Sequence, residues 1–510
     1  MTRLHAPEGP QYEAIDFGHA FYEVKERDPA KLAVIDEAHE WTWAQFGDLA
    51  TRIAGRLNRM GVGRGDRIAV LAENSAPYLA LYAGILCAGA CVVPLPFSAQ
   101  PETLKIMFAD CGATVLFTSD RYADVAETLG AGEVIRLEGI DAWAEGAPLP
   151  EPVRVKPDDF FDLIYSSGTT GTPKGIIHDH RFRSRQLVRM PRFGLDENAV
   201  SILSTPLYSN TTLVSALPVI ARGGTLVSMA KFDVEQFLNL SQKHHVTHGM
   251  LVPVQYMRIM KHPDFDKYDL TSWRVKLSTS APLPGPLIAD VLERWPGDLF
   301  EVYGMTEGGL TTVLDARANP TKLDTVGKVA EGCEARIIDE DGHELPAGSY
   351  GEIVGRGGPM MQGYLNADEK TQESRWVSPE GWDFIRTGDM GRFDEDGFLH
   401  LLDRRKDMII SGGFNIYAAD LEKVLRAHPD VADVAVIAIP SEDWGETPLG
   451  LVVPQTAGVD ADAIRTWANA QLGKTQRLSA IELRDDLPRS EIGKILKKEL
   501  RAPYWEKTKA

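Results

Sequence analysis

The chain has little cysteine and no basic excess, and each shortage removes a class of protein. Four cysteines in 510 residues cannot build a disulfide framework and fit a reducing cytoplasm. Lys and Arg total 54 against 73 Asp and Glu, a formal net charge of −19. Such a surface repels polyanions, which excludes nucleic acid as a partner. Residues 1–12 carry charges and prolines without an apolar core, so no secretory signal is expected. Residues 78–97 hold no charge and are long enough to span a membrane. Gly84, Gly89, Pro94 and Pro96 interrupt them, and the stretch divides instead into a buried helix over 77–86, a turn, and a strand over 91–95. Cys87 and Cys91 have no His or carboxylate nearby in sequence to complete a metal set, so both read as buried small hydrophobes. His244, His245 and His248 lack the glutamate of an H-E-x-x-H site and lead into a strand-like run, which gives them structural roles. Internal repeats and low-complexity segments are missing too.

What is present is concentrated at residues 165–175, Y-S-S-G-T-T-G-T-P-K-G. From Ser166 through Ser167, Gly168, Thr169, Thr170 and Gly171 every residue is glycine or hydroxyl-bearing, so backbone can approach a ligand while O–H and N–H donors converge. That chemistry suits phosphate oxygens. The largely apolar run 160–165 reads as a buried strand feeding the loop, which places the loop at a strand's carboxyl end, where α/β folds bind ligands. A P-loop would need glycine before its lysine and Ser or Thr after it; here Pro173 precedes Lys174 and Gly175 follows.

With 510 residues and 44% hydrophobic content, two or more domains are expected. From about 42 to 227 helical patterns alternate with short apolar runs at 67–71, 90–95, 113–118 and 225–228, the pattern of parallel sheets with crossover helices. Asp233 reads as the N-cap of a helix over 233–243, with a strand over 246–252 behind it. After about 324, runs at 335–339, 351–354 and 398–401 separated by D-G and G-S turns predict antiparallel structure. The fold class is therefore α/β: a large N-terminal domain of parallel-rich sheets and helices with a β-rich subdomain, and a small α+β domain at the C-terminus. The charged cluster 403–407 marks the boundary, giving domains 1–403 and 404–510.

Further chemically loaded segments follow in order: S-T-S-A-P-L-P at 278–284, E-V-Y-G-M-T-E-G-G at 301–309, R-T-G-D at 386–389, D-R-R-K-D-M-I-I-S-G-G at 403–413 and R-S-E-I-G-K at 489–494. Singly each is weak. Together, correctly ordered from about Leu86 to Lys494, they make the chain resemble the adenylate-forming superfamily of acyl-CoA synthetases, acyl-activating adenylation domains and beetle luciferases.

The resemblance implies two steps. ATP converts a carboxylate into a mixed anhydride with AMP, releasing pyrophosphate, and a thiolate then displaces AMP. ATP, Mg²⁺ and coenzyme A are the implied co-reactants. In the first step Ser166 to Lys174 would hold the β and γ phosphates, Thr306 and Glu307 would meet the α-phosphate, and Glu307 with Thr170 would hold Mg²⁺. Tyr303 and Gly304 would stand against adenine beside Ser280, Ala281 and Pro282. Asp389, supported by Arg404, would accept the ribose hydroxyls, and Lys494 would reach the reacting oxygens. In the second step the C-terminal domain would turn about Lys406, withdrawing Lys494 and presenting Ser411, Gly412 and Gly413 to a pantetheine arm. Glu422 matches a position implied to help orient the thiol step.

The chain departs from the family in one segment. Many members carry an aromatic residue followed by His where this sequence has P-L-Y-S-N at 206–210. Ser209 replaces that His, and Tyr208 or Asn210 stands available to orient the carboxylate. The acyl pocket is expected along Tyr208, Ser209, Asn210, Val252, Gly308 and Gly309. Gly249, Gly308 and Gly309 imply room, and Tyr208, Val252 and Leu310 an apolar lining. Residues 204–219 hold no acid to pair an ammonium, which disfavours amino acids, and no base stands in the pocket segments to pair a second carboxylate. The expected activity is AMP-forming carboxylate–CoA ligation of a medium-chain, alicyclic or aromatic acid; the alternative is an acyl-AMP ligase that loads a carrier protein's phosphopantetheine. A luciferase-like oxygenase has no feature in its favour, and a non-enzymatic binding protein would have lost Glu307 or Lys494.

Overall fold

A computed structural model describes residues 15–166, 173–404, 407–411, 414–441, 444–473, 476–490 and 493–506. Ser167, Gly168, Thr169, Thr170, Gly171, Lys406, Gly412 and Gly413 lie outside the described residues, as do the side chains of Ser166 and Arg404. The chain divides into two compact units, Met1–Ala335 with Gly355–Ile385, and Arg336–Val354 with Arg386–Ala510.

The larger unit holds two sheets. The first has seven strands in the order Gly363–Tyr364, Lys174–Asp179, Phe160–Ser166, Cys91–Pro94, Arg67–Leu71, Val115–Thr118 and Glu133–Arg136. From Phe160–Ser166 onward its neighbours are parallel, while Lys174–Asp179 returns antiparallel along Phe160–Ser166. The second has nine strands, with a parallel centre from Asp298–Gly304 through Val275–Ser278, His248–Leu251, Val200–Leu203 and Thr225–Ser228 to Leu32–Ile35. Parallel sheets need both faces covered, and the central strands bury Ala69, Val70, Val92, Leu163, Ile202 and Val227 accordingly.

The uncharged stretch resolves as expected. Ser75 caps the helix Ala76–Cys87 by accepting from Tyr78 N at 3.2 Å, Pro77 stands in its first turn, and all but one of its residues are buried. The strand Cys91–Pro94 follows, and among the described residues no helix is long and apolar enough to cross a membrane. Cys87 and Cys91 are buried, free thiols. Asp233 caps its helix through Gln236 N at 2.9 Å. His248 contacts Phe193 O at 3.0 Å and Thr247 Oγ1 at 2.6 Å, and burial pulls its pKa down to about 4, so it is a neutral core residue.

In the smaller unit the hairpin Val431–Ser441 and Gly445–Pro454 carries Ala480–Leu483 in parallel on its second strand. The helices Ala418–Arg426 and Ala461–Asn469 cover it through Leu421, Leu425, Ile464 and Ala468, which pack with Val434, Val436 and Val452. Antiparallel pairing also joins Asp383–Phe393 to Leu399–Arg404, with Asp389 opposite Arg404.

Candidate active site

Four segments of the larger unit converge. The strand Lys174–Asp179 begins at Lys174, whose Nζ lies 4.9 Å from the centre of the Tyr364 ring. Tyr364 pairs with Ile176 across the sheet edge and donates its hydroxyl to Glu307 Oε1 at 2.8 Å. Burial pushes the Tyr364 phenol up, with Glu307 adding to the shift, so it stays a donor at neutral pH. One tyrosine, which the sequence reading did not name, therefore touches both Lys174 and the Glu307 carboxylate. Glu307 O also accepts from Met361 N at 2.9 Å. A carboxylate with one oxygen committed and a second oxygen beside it fits a hard divalent cation such as Mg²⁺.

Tyr303 and Gly304 end the strand Asp298–Gly304, and Thr306 follows, its carbonyl accepting from His178 Nε2 at 2.7 Å. The neighbouring strand Val275–Ser278 ends in the 279–283 loop. There Ser280 adopts φ +78°, a left-handed conformation that costs a non-glycine residue about 1–3 kcal/mol and recurs at functional sites. The loop is tied at both ends: Ser280 Oγ lies 2.9 Å from Thr211 Oγ1, and Leu283 N donates to Glu301 Oε1 at 3.3 Å. Ala281 is half-buried and Pro282 exposed. Glu301 itself is 3% exposed, and burial raises its pKa to about 7.

The segment that departs from the family pattern is held from beneath. Asn74 donates to Thr205 O at 2.8 Å and accepts from Leu207 N at 2.7 Å. Beyond it Tyr208 meets the Phe97 ring edge-on at 5.1 Å and Ser98 Oγ at 3.2 Å. Ser209 is the N-cap of Asn210–Arg222 but makes no side-chain cap bond. Asn210 Oδ1 accepts from Arg183 Nη1 at 2.8 Å. Val252 is buried at the start of Pro253–Met260.

One expectation about the pocket needs correction. Glycines were expected to leave room, yet a Cβ at Gly249 would stand 2.8 Å from the Trp273 ring, and one at Gly308 2.1 Å from Pro359 O. At Gly309 the distance to Gly355 O would be 2.9 Å. Gly308 and Gly309 have φ of +76° and +81°, so they serve backbone crossing rather than an open cavity. The pocket segments hold no basic residue of their own, and Arg183 reaches Asn210 from the helix His180–Arg189.

Arg183 belongs to a cluster that the sequence reading missed. Asp162 and His178 are cross-strand partners, both 0% exposed, with Nδ1 2.7 Å from Asp162 Oδ1. Arg183, 1% exposed, donates from Nε and Nη2 to Asp162 Oδ2 at 2.9 and 2.6 Å, and Tyr82 donates to the same oxygen at 2.7 Å. Burial alone would raise the Asp162 carboxyl; Arg183 and His178 outweigh it and hold the group below the usual carboxylate range. Phe182 stacks on His178 with ring centres 3.8 Å apart. A lone Asp in an apolar strand was the only local sign of this network.

In the smaller unit Asp389 N donates to Thr387 Oγ1 at 3.0 Å, which in turn donates to Ile353 O at 2.8 Å. Lys494 closes the expected turn: Ser490 N donates to its carbonyl at 2.8 Å, and Gly493 takes φ +74°. Ser411 ends the strand Ile409–Ser411. Glu422 is 6% exposed and engaged by Lys497 Nζ at 2.9 Å, Val436 N at 2.8 Å and Arg426 at 3.2 Å, which gives it a structural task in this arrangement.

Residues 21–365 match the AMP-binding enzyme family, and residues 420–494 match the AMP-binding enzyme C-terminal domain. The chain belongs to the AMP-binding enzymes. Within that adenylate-forming family it is an AMP-forming acyl- or aryl-CoA ligase, with ATP, Mg²⁺ and coenzyme A as co-reactants. It is 35% identical to a feruloyl-CoA synthase of Amycolatopsis sp, over 93% of this chain and 96% of that one. It is 34% identical to 4-coumarate–CoA ligase 1 of Petroselinum crispum, over 91% and 89% of the two chains. The crystal structure of ATP-bound MatB from Rhodopseudomonas palustris superposes with a TM-score of 0.86 at 30% identity, covering 96% of this chain and 99% of that one.

Proposed function

We propose that the chain activates a neutral-tailed monocarboxylic acid, with hydroxycinnamate-type aromatic acids first among the candidates, ahead of medium-chain and alicyclic ones. Acid and ATP give acyl-AMP and pyrophosphate. The thiolate of coenzyme A then attacks the acyl carbon, forming C–S as the C–O bond to AMP breaks. The observation that carries the choice of acid is the aromatic wall at the departing segment, where Tyr208 packs on Phe97 and Phe97 stacks on Tyr122 at 5.4 Å. Similarity to a feruloyl-CoA synthase and a 4-coumarate–CoA ligase supports it. Arg183 adds no free charge for a second carboxylate, because Asp162 matches it within the core. A dicarboxylate or amino acid would bury an unpaired ion at several kcal/mol.

In this reading Lys174 and the loop before it hold the β and γ phosphates, Thr306 meets the α-phosphate, and Glu307 holds Mg²⁺. Magnesium supplies charge neutralisation for the phosphates. Tyr303 and the Ser280 to Pro282 backbone take adenine, and Asp389 with Arg404 the ribose. Lys494 serves adenylation. Ser411, Gly412 and Gly413 serve thioester formation, after the domain that starts at residue 404 turns about Lys406. The test compares kcat/KM for ferulate, 4-coumarate, octanoate and cyclohexanecarboxylate against malonate and phenylalanine, with coenzyme A or a phosphopantetheinyl carrier protein as acceptor. An aromatic acid with coenzyme A should lead. Malonate or phenylalanine in first place, or turnover only with the carrier, contradicts the reading.

A further inference from the structure

The buried cluster beneath the site is costly if stability is its only purpose, since buried ion pairs are weak contributors to stability and often serve to fix one arrangement. Arg183 occupies its centre and reaches both sides of the site. Nη2 lies 3.0 Å from His178 Nδ1, and His178 Nε2 donates to Thr306 O at 2.7 Å. On the other side Nη1 donates to Gln186 Oε1 at 2.7 Å and Asn210 Oδ1 at 2.8 Å. A guanidinium only donates, so the Asn210 amide has one possible orientation: oxygen toward Arg183, NH₂ away from it. Among the described residues, that Nδ2 meets no acceptor. Asn210 is half-buried, and the next residue, Thr211, touches the Ser280 loop at 2.9 Å. Two donors are thus held fixed beside the loop expected to carry adenine, one residue after the serine that replaces the family's histidine.

Resting on the functional reading above, we infer that Asn210 is the donor that orients the substrate carboxylate in this chain, and that Arg183, pinned by Asp162, is the positioning residue that fixes its amide. The arrangement substitutes for the missing histidine: an imidazole N–H is replaced by an amide N–H whose rotamer a buried cation locks. The substrate carboxylate, and then the acyl oxygen of the adenylate, would accept from Asn210 Nδ2.

Acid-dependent pyrophosphate release tests this. Asn210→Asp keeps an acceptor for Arg183 but removes both donors. It should lower kcat/KM for the acid by about ten- to a hundredfold, the range for a hydrogen bond to a charged group, with the KM for ATP and the melting temperature unchanged. Ser209→His added to Asn210→Asp should restore most of the loss, a rescue that no purely structural role predicts. Asp162→Asn with Arg183→Gln, which removes the pair without leaving a lone charge, should raise the KM for the acid and leave that for ATP. Wild-type kcat/KM for the acid in Asn210→Asp overturns the inference while the ligase reading stands, as does a loss shared equally with ATP. An unchanged acid KM in the Asp162/Arg183 double variant overturns the positioning role. A wild-type protein that releases no pyrophosphate with any acid overturns both the reading and the inference.

Discussion

Replacing Tyr364 with Phe removes one oxygen from the point where Lys174 and Glu307 meet. The ring remains, so the contact with Lys174 Nζ at 4.9 Å and the packing against Ile176, Met361 and Ile385 are kept. What disappears is the 2.8 Å hydrogen bond to Glu307 Oε1. A bond to a charged acceptor contributes about 1.5–3 kcal/mol, but Glu307 is half-buried and water can partly replace the donor. The expected cost is therefore at the lower end, about tenfold in kcat/KM for MgATP. Because the lost bond holds the carboxylate in place, the Mg²⁺ concentration at half-maximal rate should rise as well. Tyr364→Leu also removes the cation–ring contact, worth about 0.5–1 kcal/mol, and should fall a further severalfold. Acid-dependent pyrophosphate release across a Mg²⁺ titration measures all of this. If Phe behaves as wild type while Leu is inactive, the ring matters only for packing and the link from Tyr364 to Glu307 has no catalytic consequence.

Other outcomes follow from single residues. Gly308→Ala would put a methyl 2.1 Å from Pro359 O at φ +76°. The turn carrying Glu307 must then shift, so adenylation should drop at least tenfold with a lowered melting temperature, and wild-type rates would show that the turn tolerates displacement. Glu301 has its folded pKa raised by burial from 4.5 to about 7. The folded state holds this proton more tightly than the unfolded one, so stability declines as pH rises from about 4.5 to 7 and levels off above. Glu301→Gln should raise the melting temperature at pH 8 and change it little at pH 4.5; an equal shift at both would contradict the assignment. Lys494→Ala should abolish acid-dependent pyrophosphate release yet leave much of the reaction of preformed acyl-AMP with coenzyme A, and loss of neither would remove Lys494 from the first step.

Local chemistry made some parts of this protein readable and hid others. Short apolar runs flanked by turn residues located the strands Arg67–Leu71 and Thr225–Ser228, and a lone Asp before an amphipathic stretch located the cap of Val234–Lys243. The strand at 335–339 was displaced, to Cys333–Ile338. The motif at 301–309 was legible because its residues are adjacent in the chain. The contacts of Tyr364 were not, since Glu307 lies 57 positions away and only the fold joins them. The same holds for Asp162, His178, Arg183 and Tyr82, drawn from two strands and two helices. The glycines misled for a different reason: composition cannot tell a glycine that opens space from one that lets two backbones cross.

The acyl-adenylate is the central claim, and isotope exchange tests it most directly. With ATP, Mg²⁺, labelled pyrophosphate and no thiol, label should enter ATP only when an acid from the aromatic group is added, at a rate at least equal to overall turnover. Label that enters ATP only after coenzyme A is supplied, or formation of ADP in place of AMP, would contradict the account.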